Sequence, residues 1–288
     1  MLKYRLITGS LLILFLILLA SLDQGFTGGN GPLSKGVLLL AASCLVAVPL
    51  LALEVTTILR RIGNRASGWV SVTGASVLSF TMWLSVDPAW DHSPFVQQLP
   101  TLTLALVIAL AFIDACGGRR TQGIINEVTG TVFAVLYTGG LLGFWLMLRQ
   151  EVSAWIIMGA ILTVKMADIG AYTVGCTMGR TRLIPWLSPK KTWEGLVGGI
   201  IFSTATGAVL AAVTADSTSG GHSISIVQGV LFGFFAAWTG LFGDLVASAM
   251  KRDARIKDSG GILPGLGGMV DTLDSLLLTA PLAWCLLR

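Results

Sequence analysis

The stretch SAMKRDARIKDSGGILPGLGGMVDTLDS, residues 248–275, concentrates the chemistry-bearing side chains of a chain in which only 12% of residues are charged. It holds four bases (Lys251, Arg252, Arg255, Lys257) and four acids (Asp253, Asp258, Asp271, Asp274). The bases can surround a polyanion, although a solvated loop facing lipid headgroups would have the same composition. SGGILPGLGG then supplies five glycines and a proline in ten residues. Such a segment lets backbone N–H groups come close to phosphate oxygens. No GK[ST] ends it, so it is not a Walker A loop. Asp271 and Asp274 follow, three apart, on one face of the first turn of a helix. A helix N-terminus favours a carboxylate but gives no reason for a second one a turn deeper in an apolar segment. Two hard carboxylates beside a basic, glycine-rich loop suit a Mg2+ that keeps waters and binds substrate phosphates.

Three further groups of residues extend this chemistry. In VKMADIGAYTVG, Lys165 and Asp168 are three apart and can pair within an apolar run. A neutralised structural pair would explain them. So would a polar cavity wall, with Gly170 and Gly175 allowing helices to approach closely. In LSPKKTWEG, the spacing predicts Ser188 as an N-cap and Pro189 as the first helical residue. Lys190 and Lys191 would then lie in the first turn, a sensible place for cations only if an anion is shared there; ordinary flanking of a membrane helix is the simpler account. Glu194 would orient a lysine or bind a metal. Asp244 sits about seven residues before Lys251, near the end of another apolar run.

Hydrophobic residues make up 54% of the 288, and mean hydropathy is +0.80. That excludes an ordinary soluble domain. Leu/Ile/Val-rich runs of about 20 residues match a hydrocarbon core of about 30 Å, and no β-barrel alternation is present. The expected class is an all-α, polytopic membrane bundle of about nine spans: 6–22, 36–58, 67–86, 98–115, 124–147, 152–175, 194–214, 226–248 and 267–287. The first resembles a signal peptide, with Lys3 and Arg5 ahead of an apolar core, but it is long and lacks an A-x-A site before Asp23. It is expected to remain as a helix.

Basic residues set the expected orientation. Lys3 and Arg5, Arg60/Arg61/Arg65, Arg119/Arg120, Arg180/Arg182/Lys190/Lys191 and Lys251/Arg252/Arg255/Lys257 all fall on one side, fifteen of the 19 Lys and Arg. The other side has Lys35, Arg149 and Arg288, and Lys165 lies within a span. This predicts a cytoplasmic N-terminus and a multi-pass protein of the cell inner membrane, its site facing the cytoplasm. The net charge of +4 is therefore a topology signal and calls for no nucleic acid. Cys44, Cys116, Cys176 and Cys285 lack CxxC spacing and read as small apolar residues. The chain reads as a single membrane domain, 1–288. Residues 1–150 supply five generic helices, in which Glu54, Asp114 and Glu127 are expected at interfaces or helix ends. Residues 151–288 supply four catalytic helices, with cytoplasmic loops 176–194 and 249–266.

Two segments resemble the CDP-diacylglycerol synthases (phosphatidate cytidylyltransferases). The family signature S-x-x-K-R-x4-K-D-x-G-x-x-[LIF]-[PG]-x-H-G-G-x-x-D-R-x-D is matched in spacing by Ser248, Lys251, Arg252, Lys257, Asp258, Gly260, Leu263, Pro264, Gly267, Gly268, Asp271 and Asp274. SPKKTWEG and an upstream D-x-G-A-Y (Asp168, Gly170, Ala171, Tyr172) also fit, so the resemblance covers about 165–288. Two positions depart from it: Leu266 stands where the family usually has His, and Thr272 where it has Arg. The surviving carboxylates and lysine motifs favour an active enzyme over a decayed one.

The resemblance implies an enzyme that converts CTP and phosphatidic acid to CDP-diacylglycerol and pyrophosphate. It implies Mg2+ on Asp271 and Asp274, with Asp244 and Asp258 as further ligands or water anchors, and room for a second cation, monovalent or divalent. Catalytic roles fall to Asp244, Lys257, Asp258, Asp271 and Asp274. Asp168, Ser188, Lys190, Lys191, Glu194, Ser248, Lys251, Arg252, Gly267 and Gly268 would bind substrates. The expected partners are CTP, phosphatidic acid and the bilayer, with a homodimer left open. His92 and His222 fall on the outside in this topology, which argues against histidine catalysis. The rivals are a CTP-dependent lipid-alcohol kinase, which would want a base for a hydroxyl acceptor, and a transporter using Lys165, Asp168 and Asp244. A transporter should spread polar groups through both membrane halves, whereas these cluster at one side.

The orientation is testable by cysteine labelling in sealed cells. Cysteines placed at 188 and 257 should stay protected from an impermeant reagent, and one at 220 should react. Labelling of 257 from outside would overturn the topology.

Overall fold

The computed structural model describes residues 2–26, 36–88, 93–119, 121–215, 223–262 and 267–288. Eleven α-helices account for nearly all of it: α1 (Leu2–Phe26), α2 (Val37–Ala42), α3 (Val48–Arg61), α4 (Gly68–Ser85), α5 (Pro94–Gly117), α6 (Ile124–Val135), α7 (Leu141–Glu151), α8 (Ala154–Met178), α9 (Trp193–Ala215), α10 (Ile226–Asp253) and α11 (Met269–Leu287). A single two-stranded ribbon, β1 (Arg182–Ile184) and β2 (Ser188–Thr192), is the sheet among the described residues.

Two pairs of these helices are continuous spans joined by a π-helical turn. Ser43–Ala47 joins α2 to α3, where Pro49 has no N–H to offer and the Val48 N–H reaches back to the Ser43 carbonyl. Leu136–Gly140 joins α6 to α7. Eight helical segments of the described residues are thus long and apolar enough to cross a bilayer. They carry large exposed apolar side chains, among them Leu14 and Phe15 on α1, Ile113 on α5 and Val213 on α9, which only a hydrocarbon surround accommodates at this density. The protein is a multi-pass membrane helical bundle.

The count differs from the nine spans expected because of α4. At 18 residues it is about 27 Å long, but six Ser and Thr residues lower its hydropathy. Four of the hydroxyls return to the helix's own carbonyls, as Thr73 does to Trp69 and Ser79 to Ala75, and Ser76 Oγ donates to the Cys44 carbonyl.

The chain gathers into two compact units, residues 1–150 with 253–272, and residues 151–252 with 273–288. The first unit packs α4 among α3, α5 and α6, around a core that includes Val70, Leu78, Val107, Val128 and Val135. Gly139, in the π turn, lies directly on the Ala75 backbone, and Ser79 Oγ donates to its carbonyl at 2.8 Å. The segment 253–272, which the sequence reading groups with the later helices, belongs to this unit.

The second unit is built on small residues. α8 and α9 run closely together, with Gly170 and Gly199 against the facing backbone, and Ser203 Oγ of α9 donates to the Gly233 carbonyl of α10 at 2.7 Å. Gly207 of α9 and Gly229 of α10 meet backbone to backbone. A side chain at Gly207 would fall on the Gly229 carbonyl, so Gly207→Val should lower stability by about 1–3 kcal/mol. Gly9→Ala, with open space around it, should change stability, read from melting in detergent, by no more than about 1 kcal/mol. Equal midpoints for the two variants would overturn this account of the packing.

Candidate active site

The structure corrects the LSPKKTWEG reading first. Ser188–Thr192 is not the start of a helix; it is β2, paired antiparallel with β1 so that Arg182 faces Thr192 and Ile184 faces Ser188. The cap of α9 is Thr192, whose Oγ1 accepts from the Gly195 N–H at 3.1 Å. Pro189 fits a strand at the edge of a sheet as well as it fits a helix's first turn, and hairpin pairing with β1 decides. Strand alternation then separates the lysines: Lys190 is exposed, whereas Lys191 is mostly covered. Glu194 sits at the base of the ribbon, where both its oxygens accept from the Thr181 N–H, at 3.1 and 3.2 Å. The other expected loop is shorter than 249–266, because α10 runs on through Asp253. Lys251 and Arg252 lie in its last turn, where the helix dipole favours cations.

In the second unit the polar residues of three helices, α8, α10 and α11, and the ribbon converge. Lys191 Nζ pairs with Asp244 Oδ2 at 2.7 Å and donates to the Leu241 carbonyl at 3.3 Å. Ser248 Oγ donates to Asp244 Oδ1 at 3.4 Å. Lys165 Nζ pairs with Asp168 Oδ2 at 3.3 Å and also donates to Ser275 Oγ at 3.2 Å. The Ser275 hydroxyl reaches both Asp168 Oδ2 (3.0 Å) and Asp274 Oδ1 (3.1 Å), and the Ser275 N–H donates to Asp274 Oδ1 at 2.6 Å. Asp274 is only 7% exposed and lies in electrostatic range of Asp244, Lys165 and Asp168. This cluster includes Asp168, Lys191, Asp244, Ser248 and Asp274 of the expected residues, and adds Lys165 and Ser275.

Three carboxylates against two ammonium groups leave an excess of negative charge, and all the donors are hard oxygens. Among the described residues no three ligating side chains gather to enclose a metal. Hard carboxylate oxygens such as those of Asp244 and Asp274 are of the kind that Mg2+ takes one or two of, completing its shell with water and phosphate oxygens.

The first unit holds a separate constellation. Asp271 Oδ2 accepts from the Ser259 N–H (2.8 Å), Ser259 Oγ (3.0 Å) and the Gly268 N–H (3.1 Å). Glu54, from the middle of α3, accepts from the Met269 N–H at 2.9 Å, the Val270 N–H at 3.0 Å and Ser259 Oγ at 2.9 Å. It therefore caps the N-terminus of α11 from another helix. The Gly268 N–H, in the stretch the sequence offers to phosphate, and those of Met269 and Val270 are directed to carboxylates of the chain itself. Gly267 has φ +98°, and a Cβ there would approach Asp271 Oδ2 to 2.8 Å; only glycine fits that position. Lys257 and Asp258 are exposed just before Ser259. Thr272 Oγ1 turns inward to the Gly268 carbonyl at 3.1 Å.

Leu263, Pro264, Leu266, His92 and His222 lie outside the described residues. The sequence reading passes over Glu54 as an interface or capping acid. Its cue is an acid enclosed by Leu51, Val55 and Ile58 in an otherwise apolar run.

A model of the cytidylyltransferase family matches residues 3–288 of this chain. Among curated proteins, the phosphatidate cytidylyltransferase of Mycobacterium bovis is 35% identical over 174 residues, 59% of this chain and 54% of that one. Phosphatidate cytidylyltransferase 4, chloroplastic, of Arabidopsis thaliana is 32% identical over 209 residues, 64% of this chain and 51% of that one. The phosphatidate cytidylyltransferase of Bacillus subtilis is 29% identical over 208 residues, 72% and 75% of the two chains. The match spans about half the length of the first two of these relatives.

Proposed function

This chain belongs to the cytidylyltransferase family, and from that premise we propose that it transfers a cytidylyl group from CTP to phosphatidic acid. The lipid phosphate oxygen forms a bond to the α-phosphorus of CTP, the bond from that phosphorus to the β-phosphate oxygen breaks, and pyrophosphate leaves. The nucleophile is already anionic at neutral pH, so no general base is needed, and the work lies in aligning two polyanions and balancing their charge. The observation that carries this reading is the cluster in which Lys191, Asp244, Ser248, Lys165, Asp168, Ser275 and Asp274 interleave charged and hydrogen-bonding groups at 2.6–3.4 Å.

In that cluster Lys191 is held by Asp244 until a phosphate oxygen competes for it. Lys165 is oriented by Asp168 and Ser275. Lys190, Lys251 and Arg252 add donors for the triphosphate and the lipid phosphate. A divalent cation bound by Asp244 and Asp274 would neutralise charge on the departing pyrophosphate. In the first unit, Asp271 serves by fixing the Ser259 and Gly268 backbone, just after Lys257 and Asp258 in the chain. The ribbon and the 251–258 segment face the cytoplasm, where CTP is available, and phosphatidic acid arrives laterally from the bilayer.

Purified protein given phosphatidic acid, Mg2+ and α-labelled CTP should place label in the lipid, and γ-labelled CTP should leave the lipid unlabelled. Label from the γ-phosphate would establish a lipid kinase instead. Asp274→Asn and Asp244→Asn should each slow transfer on the order of 10²–10³-fold, about 3–4 kcal/mol, with the melting profile retained and a higher Mg2+ requirement. Asp253→Ala should change little. Near-normal rates in both Asn variants would remove these carboxylates from the mechanism. Thr272→Arg should alter the rate by no more than about tenfold, about 1.4 kcal/mol.

A further inference from the structure

We infer that Glu54, on a helix far in sequence from every motif of the site, is a positioning residue for the transfer, acting through Ser259 on residues 257–262 and 267–271. The inference rests on the function proposed above. Glu54 is 6% exposed, with the fully buried Leu51, Ala52 and Val55 around it on α3. A charge in such a place is retained only with a full set of donors. Its three donors among the described residues are Ser259 Oγ and the Met269 and Val270 N–H groups at the start of α11.

Two further observations tie the segment's design to the carboxylate. A Cβ on Gly260 would come within 2.5 Å of Glu54 Oε1, and one on Gly268 would collide with both Glu54 Oε2 and Ser259 Oγ. Gly260 and Gly268 thus leave the room that the Glu54 carboxylate and the Ser259 hydroxyl occupy. The Ser259 hydroxyl also lies 2.9 Å from Glu54 Oε2 and 3.0 Å from Asp271 Oδ2. With one proton, it serves one carboxylate at a time, so the placement of Asp271 is coupled to Glu54. A helix cap alone would need the two N–H groups; the hydroxyl link extends the hold to the loop that carries Lys257 and Asp258. Such support fixes the geometry of groups that meet substrate.

The test uses Glu54→Gln, Ser259→Ala and the double variant, each in a full-length protein whose native cysteines are replaced and which carries Ile262→Cys as a reporter. Ser259→Ala keeps the Glu54 charge and its two N–H donors, so it is informative even where Glu54→Gln folds poorly. Two readouts are taken on folded protein: the maleimide labelling rate at 262, and the rate and half-saturating CTP concentration of cytidylyl transfer. Positioning predicts labelling at least fivefold faster, a several-fold rise in half-saturating CTP and a lower maximal rate per folded molecule. It also predicts a double variant no worse than Glu54→Gln alone. A role confined to stability would lower the melting midpoint and leave labelling and half-saturating CTP unchanged in Ser259→Ala, and that result overturns the inference. Labelling decides the loop's dependence on Glu54 without any turnover. An inactive wild type with accelerated labelling in the variants would therefore count against the proposed reaction and not against the coupling.

Discussion

A carboxylate buried in an apolar helix must be given donors, and the arrangement around Glu54 follows from meeting that demand. The nearest donors with nothing else to bond are the first N–H groups of a helix. Bringing the start of α11 to α3 supplies two of them, at Met269 and Val270, together with the favourable end of the helix dipole. The glycines of the connecting loop and the inward hydroxyl of Ser259 are consequences of how close the backbone must come. Asp23 shows the same solution at another helix start: its Oδ1 accepts from Leu38 and Leu39 N–H groups while Oδ2 pairs with Arg149, the two side chains 1% and 2% exposed.

The second unit satisfies its charges differently. There each carboxylate meets a lysine or a serine, and the glycine and alanine faces of α8, α9 and α10 bring the backbones close enough for these short side chains to reach one another. Polar residues of this kind inside membrane spans are costly unless they pair or line a wet cavity. Pairs that are half-exposed, as Lys165 with Asp168 is, can exchange partners when an anion arrives. The deeply buried capping carboxylates hold their partners in place.

The helices were readable from the sequence because hydropathy over about 20 residues is a local property, and the chain obeys it from α1 to α11. α4 stands apart since hydroxyls that bond their own helix lower hydropathy without ending the helix. The ribbon was not readable: Ser188-Pro189 carries the signature of a helix start, and only the pairing of Arg182 with Thr192 makes it a strand. In the site, the lysines and aspartates of the later half were legible from their spacing, and Lys165 with Asp168 from helical periodicity. Ser275 and Ser259 were not, because a serine's value here lies in which two carboxylates it stands between. Glu54 was visible as an acid, but its partners lie 205 to 216 residues away, beyond any local pattern.

That separation has a consequence for biosynthesis. The ribosome delivers the chain from its N-terminus, and 216 residues separate Glu54 from Val270. At translation speeds of about 5–20 residues per second, on the order of ten to forty seconds pass before α11 emerges. During that interval the nascent protein holds a carboxylate whose permanent donors have not been made. Until then water must serve that carboxylate, and the first unit is complete only when α11 arrives to replace it.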